Sequence, residues 1–247
     1  MKNEPQAVKL PLNLSDTYVR RARLQPAMLV ALPLALVVLA FSPSGLAGWG
    51  VLLSLFVWCG GTALLAQVAR DRGKSKEPEL HRAWGGRPTT RFLRHGNAPN
   101  KVLLSRRHKR LQLIVSGVRI PTADEERADP EGADQVYEAC TAFLLEKTRS
   151  KEHFPLIFEE NCSYGFRRNL WGLKPLGLLS STAALAAIAV LFVRSYRTGT
   201  VPAPLCFVSA GMTAVLLLGW LTWFTPSWVK IAADAYAERL LAACENL

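Results

Sequence analysis

LQPAMLVALPLALVVLAFSPSGLAGWGVLLSLFVWCGGTALLAQVA, residues 24–69, holds no Asp, Glu, Lys, Arg or His. A helix rises about 1.5 Å per residue and crosses about 30 Å of hydrocarbon in about 20 residues. The stretch is too long for one crossing and about right for two. Ser, Pro and Gly in 41–50, FSPSGLAGWG, favour a turn between them. The pattern predicts one span over 24–41 and a second over 48–69, with Pro33 bending the first locally.

The pattern recurs near the C-terminus. No charged residue lies between Lys174 and Arg194, or between Arg197 and Lys230. Spans are predicted over 176–193 and 203–224, joined by the short RSYRTGTVPAP, 194–204. Backbone groups in lipid must bond internally, so each pair reads as a helical hairpin. The first apolar run is not read as a cleaved secretory signal. It follows 23 residues that include Glu4 and Asp16, it exceeds a usual signal core, and a second span follows at once.

Charge orients these spans. The net charge is +11, and 28 basic residues fall on the side of both termini and the central segment, against Arg194 and Arg197 on the other. The positive-inside tendency therefore places both ends and the middle of the chain in the cytoplasm of a bacterial inner membrane. The expected fold is an all-α membrane protein, two transmembrane hairpins flanking a small, mostly α cytoplasmic domain. Its expected segments are a basic arm at 1–23, spans one and two at 24–69, the cytoplasmic domain at 70–174, spans three and four at 175–224, and an amphipathic helix at 225–247.

The central segment divides by charge. Residues 70–120 carry +11 and residues 121–166 carry −7, so the halves should attract each other within one domain or between subunits. Residues 70–79 read as a polar linker. In 84–94, WGGRPTTRFLR, a Gly-Gly turn precedes a helix capped near Thr89 or Thr90. Residues 101–115, KVLLSRRHKRLQLIV, read as an amphipathic helix with Arg106, Arg107, Lys109 and Arg110 on its polar side. Such a cluster binds phosphate, or merely follows from positive-inside bias on a solvated face. Thr122 and Glu125 have capping-box spacing. Asp129-Pro130 is a helix start whose apolar stripe runs through Ala133, Val136, Tyr137, Cys140, Phe143 and Leu144. FPLIF, 154–158, reads as a short extended piece.

After Thr225-Pro226 the residues Val229, Ala233, Tyr236, Leu240 and Cys244 recur at helical spacing, with Lys230 and Asp234 placed to pair. Five scattered cysteines and four unpaired histidines give neither a disulfide framework nor a metal site, and no cofactor is implied. Nucleophile-elbow and Walker motifs are absent, so the chain does not read as an enzyme. Glu159 and Glu160, read on an extended chain, point to opposite faces and converge poorly as an acid–base pair.

Residues 159–175, EENCSYGFRRNLWGLKP, read as a juxtamembrane elbow. Arg167 and Arg168 suit bidentate phosphate binding or pairing with Glu159 and Glu160, and Trp171 suits the membrane interface. A ligand ordering this elbow would pull on the third span. The candidate ligand-binding residues are Arg91, Arg94, Arg106, Arg107, Lys109, Arg110, Arg167 and Arg168. The candidate coupling residues are Glu159, Glu160, Asn161, Tyr164 and Trp171.

The run 154–175, with 84–94 and the four-span layout, resembles a group of uncharacterised bacterial four-pass membrane proteins. The layout is also similar to bacterial anti-phage membrane effectors such as the membrane component of the Hailong system. By architecture alone, that resemblance implies an oligomeric, channel-like complex controlled by a nucleotide-derived ligand or short DNA, with a partner nucleotidyltransferase. The residues leave a second reading open, a membrane anchor or scaffold that recruits a cytosolic partner.

Overall fold

The structure, a computed structural model, describes residues 16–41, 60–97 and 100–247. Every regular element among them is helical. In chain order they are a π turn Val19–Leu24 leading into α1 (Gln25–Phe41), α2 (Gly61–Ser75), α3 (Glu77–Trp84), α4 (Pro88–Leu93) and α5 (Lys101–Ile114). There follow α6 (Ala123–Ala128), α7 (Pro130–Lys147), α8 (Pro155–Thr198), α9 (Pro204–Leu218) with a π turn Gly219–Trp223, and α10 (Pro226–Ala242).

Three helical stretches are long and apolar enough to cross a membrane: Val19–Val38, Pro155–Thr198 and Pro204–Trp223. The first starts five residues before the expected 24–41, because the helix already runs through Val19–Leu24. The turn expected at 41–50, and most of the span expected over 48–69, lie outside the described residues, as does Cys59.

The chain divides into two compact units. One falls within 1–75 and 165–225. Here close backbone approach sets the packing. A methyl group on Gly172 would meet the Arg72 carbonyl carbon at 2.5 Å and the Gly73 nitrogen at 2.6 Å, so α8 and α2 touch backbone to backbone. A methyl group on Gly177 would overlap the Trp220 indole. The tight crossings use Gly73, Gly172 and Gly177, and Ser181 and Ala184 are buried as well. Ala27, Ala69 and Leu173 are buried together beside them. Asn169, fully buried, donates from Nδ2 to the Ala22 carbonyl at 2.6 Å. Ser209 donates to the Leu36 carbonyl at 3.1 Å. Lys174 donates to the Phe224 carbonyl at 3.0 Å, satisfying a carbonyl just past the end of the π turn Gly219–Trp223.

The second unit comprises Lys76–Tyr164 and Pro226–Leu247. Its core gathers Leu93 of α4, Leu111 of α5, Tyr137, Cys140 and Leu144 of α7, Ile157 of α8, and Leu240, Leu241 and Cys244 of the C-terminal segment. The stripe read from Asp129-Pro130 onward is that core, and the Asp129 side chain caps α7 by accepting from the Gly132 nitrogen at 2.9 Å. The Thr122–Glu125 capping box is present in full. Lys230 and Asp234 pair one turn apart at 2.5 Å.

Four local expectations are corrected. The linker at 70–79 is helix: α2 runs through Gly73 to Ser75, and α3 starts at Glu77-Pro78, a first-turn proline signal. The α4 cap is Arg87, with Pro88 as first residue, and Thr89 and Thr90 lie inside the helix. The Gly-Gly turn before it stands, since Gly85 closes α3 in the left-handed region at φ 79°. The extended piece at 154–158 is the first turn of α8, where a short apolar run carried no strand-specific signal and Pro155 fits a helix start. The elbow at 159–175 is continuous helix, because Gly165 and Gly172 serve close packing and Pro175 is accommodated within α8. Glu159 and Glu160 are therefore successive helical residues, not an extended pair.

Candidate functional site

α5 carries the densest run of basic side chains in the second unit, Lys101, Arg106, Arg107, Lys109 and Arg110. Asn100 caps it, accepting from the Leu103 nitrogen at 3.0 Å, and Leu104, His108 and Leu111 bury one face. Arg106, Lys109 and Arg110 lie away from Leu111, whereas Arg107 stands one turn before it, on the face of Leu104 and Leu111.

The carboxylates of the same unit occupy several of the predicted ligand-binding arginines. Arg91 pairs with Asp234 at 2.6 Å, and both side chains are largely buried. Arg94 binds Asp134 bidentately, with Nε to Oδ1 at 2.8 Å, and gives Nη1 to the Gly85 carbonyl at 2.8 Å. The hydrogen bonds that Arg94 donates to Asp134 raise its pKa above the ordinary value. Arg106 grips both oxygens of Glu245, at 2.5 and 2.7 Å. Arg110 donates Nε to the Cys244 carbonyl at 3.1 Å. The Arg107 Nε is buried and meets no acceptor among the described residues. Basic half thus meets acidic half inside the unit, with Asp134 answering Arg94 and Glu138 answering Arg87.

Arg167 and Arg168 lie on α8 in the first unit. Arg168 is buried and donates from Nε and Nη2 to Asn169 Oδ1 at 3.2 and 3.1 Å. The structure therefore does not gather the eight predicted residues into one site. Of the coupling residues, Glu159, Glu160, Asn161 and Tyr164 lie on the α8 segment belonging to the second unit. Tyr164 stacks on Tyr236 of α10 with ring centroids 6.2 Å apart. Trp171 is in the first unit, where Lys174 lies 5.1 Å over its ring.

A groove of about 420 Å³ runs beside α5. Its floor is buried Leu104, His108 and Ile120, and its rim carries exposed Lys101, Ser105, Lys109 and Gln112. No acidic residue lines it. Behind the floor, His108 donates Nε2–H to the Leu93 carbonyl at 2.8 Å and stacks on Tyr137. Tyr137 donates to Glu126 at 2.7 Å, and Glu126 also accepts from the His95 nitrogen. Burial lowers the His108 pKa and raises that of Tyr137, both favouring the neutral forms. The same burial pushes the Cys140 thiol up to about 11, so it is no nucleophile at neutral pH.

Sequence reasoning named Lys109 but missed Lys101, Ser105 and Gln112. Their signal was present: Lys101, Ser105, His108 and Gln112 recur at four, three and four residues, one face of a helix. Asp134, Asp234 and Glu245 were missed as counter-charges because all three are distant in sequence from their arginines.

Comparison with known protein families, with curated proteins and with solved structures gives no match to this chain.

Proposed function

We propose that this chain is an oligomeric, channel-like effector of the bacterial inner membrane, gated by an anionic ligand at its cytoplasmic helical unit and acting in defence against phage. The observation that supports it most is α8. This single helix of 44 residues begins in the core of the second unit, where Ile157 is buried, and runs on to Thr198 through an uncharged apolar stretch. It is about 66 Å long, roughly twice the hydrocarbon thickness. Its base and its apolar part belong to one continuous helix, which gives a ligand bound near the base a route to the span. The 28-to-2 asymmetry of basic residues supports a cytoplasmic second unit.

The spans offer no ionisable relay. From Pro175 to Val193, and through α9, there is no Asp, Glu, Lys, Arg or His. This suits a pore closed by an apolar constriction better than a proton-coupled pump. Gating requires a ligand that binds one state better than the other. The test is expression of the full chain in cells carrying a voltage-sensitive dye, with and without phage challenge. Depolarisation with growth arrest is expected. Unchanged membrane potential under both conditions overturns the reading.

A second reading is a membrane anchor that recruits a cytosolic partner. The occupation of Arg91, Arg94 and Arg106 by carboxylates favours it, since a pre-neutralised surface suits a fixed scaffold. It predicts a stoichiometric partner in detergent pull-downs and an unchanged potential.

A further inference from the structure

We propose that the groove beside α5 binds a small organic phosphate, its anionic group held by Lys101, Ser105 and Lys109 and its apolar part lying on Leu104 and Ile120. The inference deepens the gated-effector reading and rests on it for its consequence, though not for the site itself.

The distinction between this groove and the rest of the basic surface is commitment. Arg91, Arg94 and Arg106 are neutralised by carboxylates, and Arg110 is tied to a carbonyl. Lys101 and Lys109 form no ion pair and no hydrogen bond among the described residues, and neither do Ser105 and Gln112. Two lysines and two neutral hydrogen-bonding side chains thus stand uncommitted around one concavity that contains no acid. Two other concavities of the unit differ: one includes Glu77 in its wall, and the other holds Arg239 among mainly apolar neighbours.

The helix geometry brings these groups together. Lys101 and Lys109 are eight residues apart, about 12 Å along the axis, with Ser105 midway on the same row. Flexible four-carbon stems let both ammonium groups converge over the Ser105 hydroxyl. An ammonium binds phosphate as a point charge, and a hydroxyl donates to one of its oxygens. The buried Leu104, His108 and Ile120 make an apolar floor, so an ester with a flat apolar portion fits better than a bare ion. The position also suits signalling. Leu111, two turns beyond Leu104 on α5, packs in the same core as Ile157 at the base of α8.

Two sources could supply such a phosphate, a soluble ester or a lipid headgroup. The test uses the full chain in nanodiscs of zwitterionic lipid, probed with AMP, with adenosine as the uncharged control. A second arm replaces AMP with phosphatidic acid in the disc. Acylation of lysines read by mass spectrometry, and calorimetry for AMP, are the readouts. Protection of Lys101 and Lys109 in either arm, and none by adenosine, supports the site and tells which source fits. In the AMP arm, Lys101→Ala with Lys109→Ala should weaken binding at least about tenfold. Ser105→Phe fills the groove with both charges intact and should do the same, whereas Arg106→Ala should not. No protection in any arm, or unchanged AMP affinity in the double variant and in Ser105→Phe, overturns the site. Phosphate binding without any change in conductance leaves the site standing and defeats gating. A conductance response to AMP that survives the double variant defeats the site and leaves gating.

Discussion

Replacing Gly172 by Ala adds one methyl group where α8 meets α2. The new carbon would lie 2.5 Å from the Arg72 carbonyl carbon, 2.6 Å from its oxygen and 2.6 Å from the Gly73 nitrogen. Ordinary contact between carbons begins near about 3.5 Å, so the two backbones must part by about 1 Å. No flexible side chain can yield, because all three atoms are backbone. Separation loosens the cluster of Ala27, Ala69 and Leu173 packed beside the crossing. Overpacking of this kind costs about 1–3 kcal/mol, and Ala regains about 1 kcal/mol of helix propensity over Gly. The expected net loss is about 0–2 kcal/mol, or about 1–3 kcal/mol relative to a glycine-to-alanine change that meets no neighbour. Gly211 in α9 provides the control, since a methyl group there meets nothing within 4 Å. Gly211→Ala should be neutral or stabilise by up to about 1 kcal/mol. The assay is denaturant unfolding in mixed micelles, followed by far-UV circular dichroism. Equal stability of Gly172→Ala and Gly211→Ala would refute the backbone-contact reasoning.

Further outcomes follow from the second unit. Arg94→Ala removes the bidentate pair with Asp134 and the bond to the Gly85 carbonyl, and should destabilise the protein by about 1–3 kcal/mol, measured as above. Arg94→Lys should recover only part of that, because an ammonium cannot reproduce the fork. His108 has its pKa lowered mainly by burial, so the folded state binds this proton less readily than the unfolded chain. Its contribution is intact above the ordinary histidine value of about 6.5 and is lost as pH falls below it towards the folded value. The melting temperature should therefore drop as pH falls below about 6.5, and His108→Gln should flatten that slope.

Much of the fold was legible because its signals are local. Uncharged runs gave the apolar helices, Thr122 with Glu125 gave a capping box, and Asp129-Pro130 gave the start of α7. What escaped depended on partners far along the chain. Gly73 reads as a breaker, yet it lies inside α2 because only a hydrogen fits against Asn169. Gly165 and Pro175 read as an elbow, yet α8 runs through both, since neighbouring helices over-rule local propensity. At the candidate site, the arginines were visible but their neutralisation was not. Arg91 finds Asp234 and Arg106 finds Glu245 across more than a hundred residues, so the free charge shifted to Lys101 and Lys109.

The most direct measurement interrupts α8. Insertion of a Gly-Gly-Ser tripeptide after Gly165 should break the helix between its base and its apolar stretch. Single-channel current in a planar bilayer, with AMP added to the side of the second unit, is compared for the native chain and the insertion variant. A ligand-dependent current in the native chain, with ligand binding retained but the current no longer responsive in the variant, is the predicted result. An equal current response from both chains, or no current from the native chain, contradicts it.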